Sequence, residues 1–310
     1  CGKSQTARAV LKHLKTKGVK AVAIRHPMPY GNLAEQAVQR FATYDDFDKH
    51  KCTIEEREEY EPVVRDGFVI YAGVDYGKIL RQAEQEADVI LWDGGNNDFS
   101  FYKPNLNIVV VDPHRPGDEL SYYPGEVNLR MADVIVINKM DSASTENILT
   151  LKQNITKSNP NAKLIEANSD LIIDKPELIP GKNILVIEDG PTLTHGEMKI
   201  GAGTVAAQNN NVGKLIDPRA YAVGEIKATF EKYPNIGVLL PAMGYSSQQI
   251  KDMEETINNT PDVDAVIIGT PIDLTKLITI NKPTIVVRYE LKEREGSIKL
   301  GDVLDGFLNR

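Results

Sequence analysis

The sequence has 310 residues, 41% of them hydrophobic and 26% charged, an ordinary globular composition with enough length for two domains. A formal net charge of −8 argues against a general nucleic-acid or membrane-surface role, and no apolar run is long enough to span a bilayer. Two cysteines, Cys1 and Cys52, are too few for a disulfide framework and lack metal-ligand spacing, which fits a reducing, cytoplasmic setting.

The chain opens Cys1-Gly2-Lys3-Ser4, running into an amphipathic helical stretch over Ser4–Lys17. That tetrapeptide ends like a phosphate-binding P-loop, G-x-x-x-x-G-K-[ST]. In such a loop backbone N–H groups and the helix N-terminus hold phosphates, the Lys reaches the β- and γ-phosphates, and the hydroxyl ligates Mg²⁺. Gly2, Lys3 and Ser4 are therefore candidate nucleotide-binding residues, with Ser4 a metal ligand. Only the end of the motif is present, so a preceding segment carrying the rest of the loop and one strand is expected. Without that strand the sheet would have an unpaired gap near its centre.

A short β-branched run at Val19–Ile24 leads to Arg25-His26, and helical Tyr76–Ala87 leads to a second run, Val89–Trp92, ending in Asp93-Gly94-Gly95. An Asp at that strand end can hold a water on Mg²⁺ beside the phosphate loop. Ile108–Val111 is followed by Asp112-Pro113-His114-Arg115, and Val134–Ile137 by Asn138-Lys139-Met140-Asp141. This last is N-K-x-D, in which the Asp reads the guanine edge, the Asn braces the loop and the Lys stem packs on the base. Helical Thr145–Ser158 follows. Ile184–Ile187, Gly237–Leu240, Ala265–Ile268 and Thr284–Val287 are further strands, with helical Ser247–Asn258 among them. The strands lack polar alternation, as parallel strands covered on both faces do. The order predicts an α/β fold: a doubly wound parallel sheet of P-loop NTPase type, with a C-terminal α/β extension or second small domain. A boundary near Pro191 gives a nucleotide domain over residues 1–190 and a C-terminal α/β domain over 191–310. In the second half, Gly201-Ala202-Gly203-Thr204 and Gly244-Tyr245-Ser246-Ser247 open helices as anion nests or as plain turns. Asp189, Thr192 and His195 could orient a second phosphate there.

These motifs and the stretches joining them resemble a known family. The carriers are Arg25-His26-Pro27-Met28-Pro29-Tyr30-Gly31, Trp92-Asp93-Gly94-Gly95-Asn96-Asn97-Asp98 and Val111-Asp112-Pro113-His114-Arg115-Pro116-Gly117. Glu188-Asp189-Gly190-Pro191-Thr192-Leu193-Thr194-His195-Gly196 and Leu240-Pro241-Ala242-Met243-Gly244-Tyr245 continue the match. The sequence resembles the cyclic 2,3-diphosphoglycerate synthetase family of P-loop NTPases, known largely from archaea and often labelled predicted GTPases. The resemblance implies ATP-driven closure of 2,3-diphosphoglycerate into its cyclic form, a phosphoanhydride-forming ligase reaction releasing ADP and phosphate.

Phosphoryl transfer of this kind needs positioning and charge neutralisation more than covalent catalysis. Lys3, Asp93, Arg25, His26, His114 and Arg115 are the candidate catalytic residues, the two Arg/His pairs meeting a polyanionic co-substrate. Gly2, Lys3, Ser4, Asn138, Lys139 and Asp141 are the candidate nucleotide-binding residues, and Ser4 and Asp93 the Mg²⁺ ligands. The donor is ATP or GTP, because N-K-x-D is a guanine reader whereas the named enzyme is described with ATP. The expected partner is a small phosphorylated molecule, with no nucleic acid and no membrane, and a homo-oligomer stays open. The alternative is a regulatory or metallochaperone-like GTPase using N-K-x-D, which no Cys or His cluster in the sequence supports. A non-catalytic nucleotide-binding module is a third reading, against which the Arg/His pairs argue.

Overall fold

The computed structural model describes residues 1–28, 31–95, 98–190, 200–242 and 246–309. In chain order the first half forms α1 (Lys3–Thr16), β1 (Ala21–Arg25), β2 (Gln39–Phe41), α2 (Tyr44–Lys49), α3 (Ile54–Arg65), β3 (Val69–Ala72), α4 (Tyr76–Ala83) and β4 (Val89–Asp93). Then come β5 (Ile108–Val111), α5 (Asp118–Ser121), α6 (Tyr123–Met131), β6 (Val134–Ile137), α7 (Thr145–Ser158), β7 (Lys163–Ile173) and β8 (Asn183–Asp189). The rest is α8 (Ala202–Asn209), β9 (Lys214–Leu215), α9 (Gly224–Lys232), β10 (Leu240–Ala242), α10 (Ser247–Asn259), β11 (Ala265–Gly269), β12 (Thr284–Glu293) and α11 (Leu300–Leu308). The fold is α/β with mixed, mostly parallel strand pairing.

The helices begin where local chemistry predicts. Asp75 accepts from Lys78 N to start α4, and Ser144 from Asn147 N to start α7. Ser246 and Gln249 close a reciprocal capping box on α10. The strands form because short β-branched runs fit a pleated, covered surface. β6, all Val and Ile, is buried along its whole length.

Two compact units emerge. The first comprises Cys1–His50, Val63–Asp170 and Glu290–Arg310; the second comprises Lys51–Pro62 and Leu171–Tyr289. The division therefore differs from a boundary at Pro191, because apolar burial, not chain continuity, decides which segments belong together. In α11, Leu300, Val303 and Leu304 recur at helical spacing and pack with Val10 and Leu14 of α1, which draws the C-terminal segment into the first unit.

In the first unit β3 and β4 flank β1 in parallel, with Arg25 in register with Asp93, and β2 adds antiparallel to β3. A second ladder runs β5-β6-β7, all parallel. β4 and β5 are each the last strand of their ladder. In the second unit the order is β10-β8-β11-β12, all parallel, over a core that includes Leu185, Ile187, Leu240, Met253 and Ile267. β10 begins three residues later than the run at Gly237–Leu240 suggests and contains Pro241. Its only ladder partner among the described residues is β8, and an edge strand tolerates a missing N–H.

Candidate functional site

The first unit gathers the predicted residues at the carboxyl ends of its parallel strands and at the start of α1. Gly2 precedes α1 with φ 94°, a left-handed conformation that favours glycine. A Cβ there would collide with Asn138 Nδ2, so both backbone angle and space demand glycine. The first turn of α1 carries no acidic residue, and no side chain caps it. Its leading N–H groups therefore stay available to an anion. Lys3 and Ser4 occupy that first turn, both half-buried.

Asp93 ends β4 almost fully buried, with two cations on it. Lys3 Nζ lies 3.0 Å from Oδ1, and Arg25 Nη1 donates to Oδ2 at 3.1 Å. The register between β1 and β4 sets Arg25 beside Asp93, and Arg25 is itself only 5% exposed. His26 follows, its Nδ1 2.9 Å from Asp98 Oδ2, which also accepts from Gly95 N at 3.1 Å. The Arg25-His26 pair therefore lies against the loop after β4.

The second Arg/His pair is placed differently. His114 Nε2 is 2.9 Å from Ser142 Oγ, bridging the loops after β5 and β6. Arg115 is 63% exposed and ion-pairs loosely with Asp112 and Asp118, at 3.6 and 3.9 Å. Asp112 also takes Lys139 Nζ at 3.2 Å. Burial alone would push its carboxyl up, but Lys139 and the Cys1 amino group hold it down to about 2. Asn138 is fully buried and donates through Nδ2 to Cys1 O at 3.1 Å, tying the end of β6 to the phosphate loop. Asp141 is exposed, and its Oδ1 accepts from Ser169 N at 3.2 Å.

Between β4 and β5 lies a cavity of about 1320 Å³, lined by both strands, by Lys3, Val10 and Leu14 of α1, and by Leu304 and Phe307 of α11. It explains a departure from the sequence reading. Val89–Trp92 and Ile108–Val110, apolar enough for buried strands, are only half-buried because they face this space. Asp93, Asp112 and Arg115 stand on its rim.

In the second unit the predicted anion nest is filled by the protein itself. Glu188 Oε1 accepts from Gly201 N, Thr204 N and Thr204 Oγ1, and Oε2 from Gly203 N, so the start of α8 is capped by a carboxylate. Burial raises the Glu188 pKa against these bonds, which pull it down. Asp189, at the end of β8, faces the Glu58 carboxyl on α3. Burial and the neighbouring carboxylates, Asp189 first among them, raise the Glu58 pKa to about 9. Thr192, His195, Gly244 and Tyr245 lie outside the described residues.

Several polar partners escape the sequence reading: Asp98, Asp112, Gln5 and Ser169. Asp98 and Asp112 lie within the motifs that follow β4 and β5, which was their signal. Gln5 and Ser169 had none, because Ser169 lies on β7, a strand whose mixed polar composition hid it.

A divalent ion at the start of α1 would share Asp93 with Lys3 and Arg25, which take one carboxylate oxygen each. Ser4 and Asp93 supply hard oxygen donors, and Mg²⁺ typically rests on one or two protein oxygens with the rest from phosphate and water. Among the described residues no group of three or more His, Cys, Asp and Glu is arranged to hold a metal by itself. No helix among them is long and apolar enough to cross a membrane.

A Gly-Lys-Ser start to a helix, a buried Asp at a neighbouring parallel strand end and an Asn-Lys-x-Asp loop braced on the first define a P-loop nucleotide-binding protein. Residues 64–168 match the family model for the P-loop domain of cyclic 2,3-diphosphoglycerate synthetase. The chain is also 62% identical over 305 residues to arginine synthetase ArcE of Thermococcus kodakarensis, covering 98% of this chain and 68% of that protein. The chain thus belongs to the cyclic 2,3-diphosphoglycerate synthetase family of P-loop proteins, a group of nucleotide-dependent synthetases. HypB from Helicobacter pylori, solved in complex with nickel, aligns at TM-score 0.33 and 14% identity over 53% of this chain and 73% of its own, too distant to bear on function.

Proposed function

We propose that this chain is a nucleotide-dependent synthetase whose product is arginine. The observation that carries the reading is the 62% identity to a protein named arginine synthetase, which runs through both units and not through the P-loop region alone. Arginine differs from its ureido counterpart, citrulline, only in one nitrogen replacing one oxygen. A synthetase makes that exchange by moving the γ-phosphoryl group of the nucleotide onto the ureido oxygen, releasing the nucleoside diphosphate. Ammonia then adds to the ureido carbon and inorganic phosphate leaves.

In this reading Gly2, Lys3 and the first N–H groups of α1 hold the phosphates. Ser4 and Asp93 would hold Mg²⁺, which would supply charge neutralisation at the phosphates. Arg25 is dry and next to Lys3, which suits a cation facing the charge that builds up during transfer. His26, His114 and Arg115, in the loops after β1 and β5, receive the co-substrate, and Asn138, Lys139 and Asp141 receive the base of ATP or GTP.

The second reading keeps the same machinery and closes 2,3-diphosphoglycerate into its cyclic anhydride. The family model over residues 64–168 supports it. Phosphate release separates the two, measured with ATP and with GTP in the presence of either citrulline plus ammonium or 2,3-diphosphoglycerate, together with direct detection of arginine. Citrulline-dependent release with stoichiometric arginine is expected. Release that responds only to 2,3-diphosphoglycerate would replace the first reading with the second.

A further inference from the structure

Gln5 stands two residues beyond Lys3, in the first turn of α1. Its amide oxygen is 3.4 Å from Asn138 Nδ2, the same nitrogen that donates to Cys1 O. The Ser169 hydroxyl lies 3.0 Å from the Gln5 amide nitrogen and 3.1 Å from its oxygen. Ser169 in turn donates its backbone N–H to Asp141 Oδ1. A continuous polar chain therefore runs from Cys1 O through Asn138, Gln5 and Ser169 to Asp141. Asn138 and Ser169, the links on either side of Gln5, are buried, at 0% and 8% exposure. A buried polar group is costly to leave without a partner, so breaking the chain at Gln5 carries a penalty on both sides of it.

We infer that Gln5 is a positioning residue for base recognition. It fixes the distance between the phosphate loop and Asp141, so that phosphates and base are read together as one length. The inference rests on the nucleotide site proposed above. A glutamine suits the place because one planar amide offers both donor and acceptor at the end of a side chain long enough to reach β7 from α1. Removing it takes the amide from Ser169 Oγ and leaves Asn138 Nδ2 with Cys1 O alone, so the side-chain tie between the phosphate loop and the segment of β7 that holds Asp141 is lost.

The test compares ATP, GTP and inorganic tripolyphosphate binding by titration calorimetry in the full chain. Gln5→Ala is expected to shift the ratio of ATP to GTP affinity by about five- to tenfold, while tripolyphosphate affinity changes by less than about twofold. Ser169→Ala should give the same shift, and the double variant no further one, because both cut the same link. Ser169→Ala alone carries the test should Gln5→Ala fail to fold by circular dichroism. Equal losses for tripolyphosphate and both nucleotides would make Gln5 a part of the phosphate loop only and overturn the inference. An unchanged ratio, or additive shifts, would overturn it as well. A wild-type chain that binds tripolyphosphate but neither nucleotide would remove the base site itself, a failure distinct from that of Gln5.

Discussion

Lys3 and Arg25 both rest on the Asp93 carboxylate, but their surroundings differ, and so do the outcomes of removing each group. Lys3 is partly exposed, and without it Asp93 keeps Arg25. Lys3→Ala should therefore cost under about 1 kcal/mol of stability while lowering turnover at least about a hundredfold. Asp93→Asn removes the charge that balances a buried guanidinium. It should abolish turnover and also cost about 3 kcal/mol, read from the midpoint of urea unfolding. A fully stable Asp93→Asn protein would show that Arg25 finds another partner. Glu58 makes a pH prediction in the second unit. Its folded pKa of about 9 lies above the ordinary carboxylate value of 4.5. Raised in this way, it contributes stability that is fully present below about pH 4.5 and lost as pH climbs toward 9. Glu58→Gln cannot titrate, so its stability should fall less between pH 5 and 9 than that of the native protein. Parallel pH curves for the two would place the raised group elsewhere.

At the scale of elements, the start of α1 and its packing on α11 hold the nucleotide end of the first unit. Gly2→Ala adds a methyl group where Asn138 stands and disfavours the left-handed backbone. Nucleotide affinity should drop more than tenfold while the rest of α1 keeps its helical signal, because the clash is confined to the turn that presents the phosphate-binding N–H groups. Retained affinity would mean that the phosphates bind elsewhere. Leu304 of α11 is 2% exposed and packs in the cluster with Val10 and Leu14. Leu304→Ala should destabilise the first unit by about 2–4 kcal/mol, nearer the low end because the adjoining cavity already leaves room for relaxation. A loss below about 1 kcal/mol would show that α11 is not needed to seal α1.

For the molecule as a whole, the nucleotide site drawn from the first unit makes a regional prediction. A saturating nucleoside triphosphate should slow amide exchange over residues 1–10, 89–95 and 134–142. Protection confined to β8 and β11 would relocate the site to the second unit. The net charge of −8 sets no such pattern by itself, since the cations that matter are grouped: Lys3, Arg25, Arg115 and Lys139 all stand beside Asp93 or Asp112.

Local chemistry was legible from the sequence alone. β5, β6 and α7 fall on the predicted residues, because their apolar runs, β-branched content and capping serine act over a few neighbouring positions. Asp93 and Asn138 stood out by residue type at the ends of such runs, and Gly2 and Lys3 at the start of a helical stretch. The tertiary structure decided what depends on distant partners. It brought the C-terminal helix back to α1 and filled a suspected anion nest with the Glu188 carboxylate. It also joined Gln5 to Ser169, 164 positions apart. Those outcomes follow from which apolar faces and polar groups meet when the chain closes, and a periodicity read along the chain carries no record of that meeting.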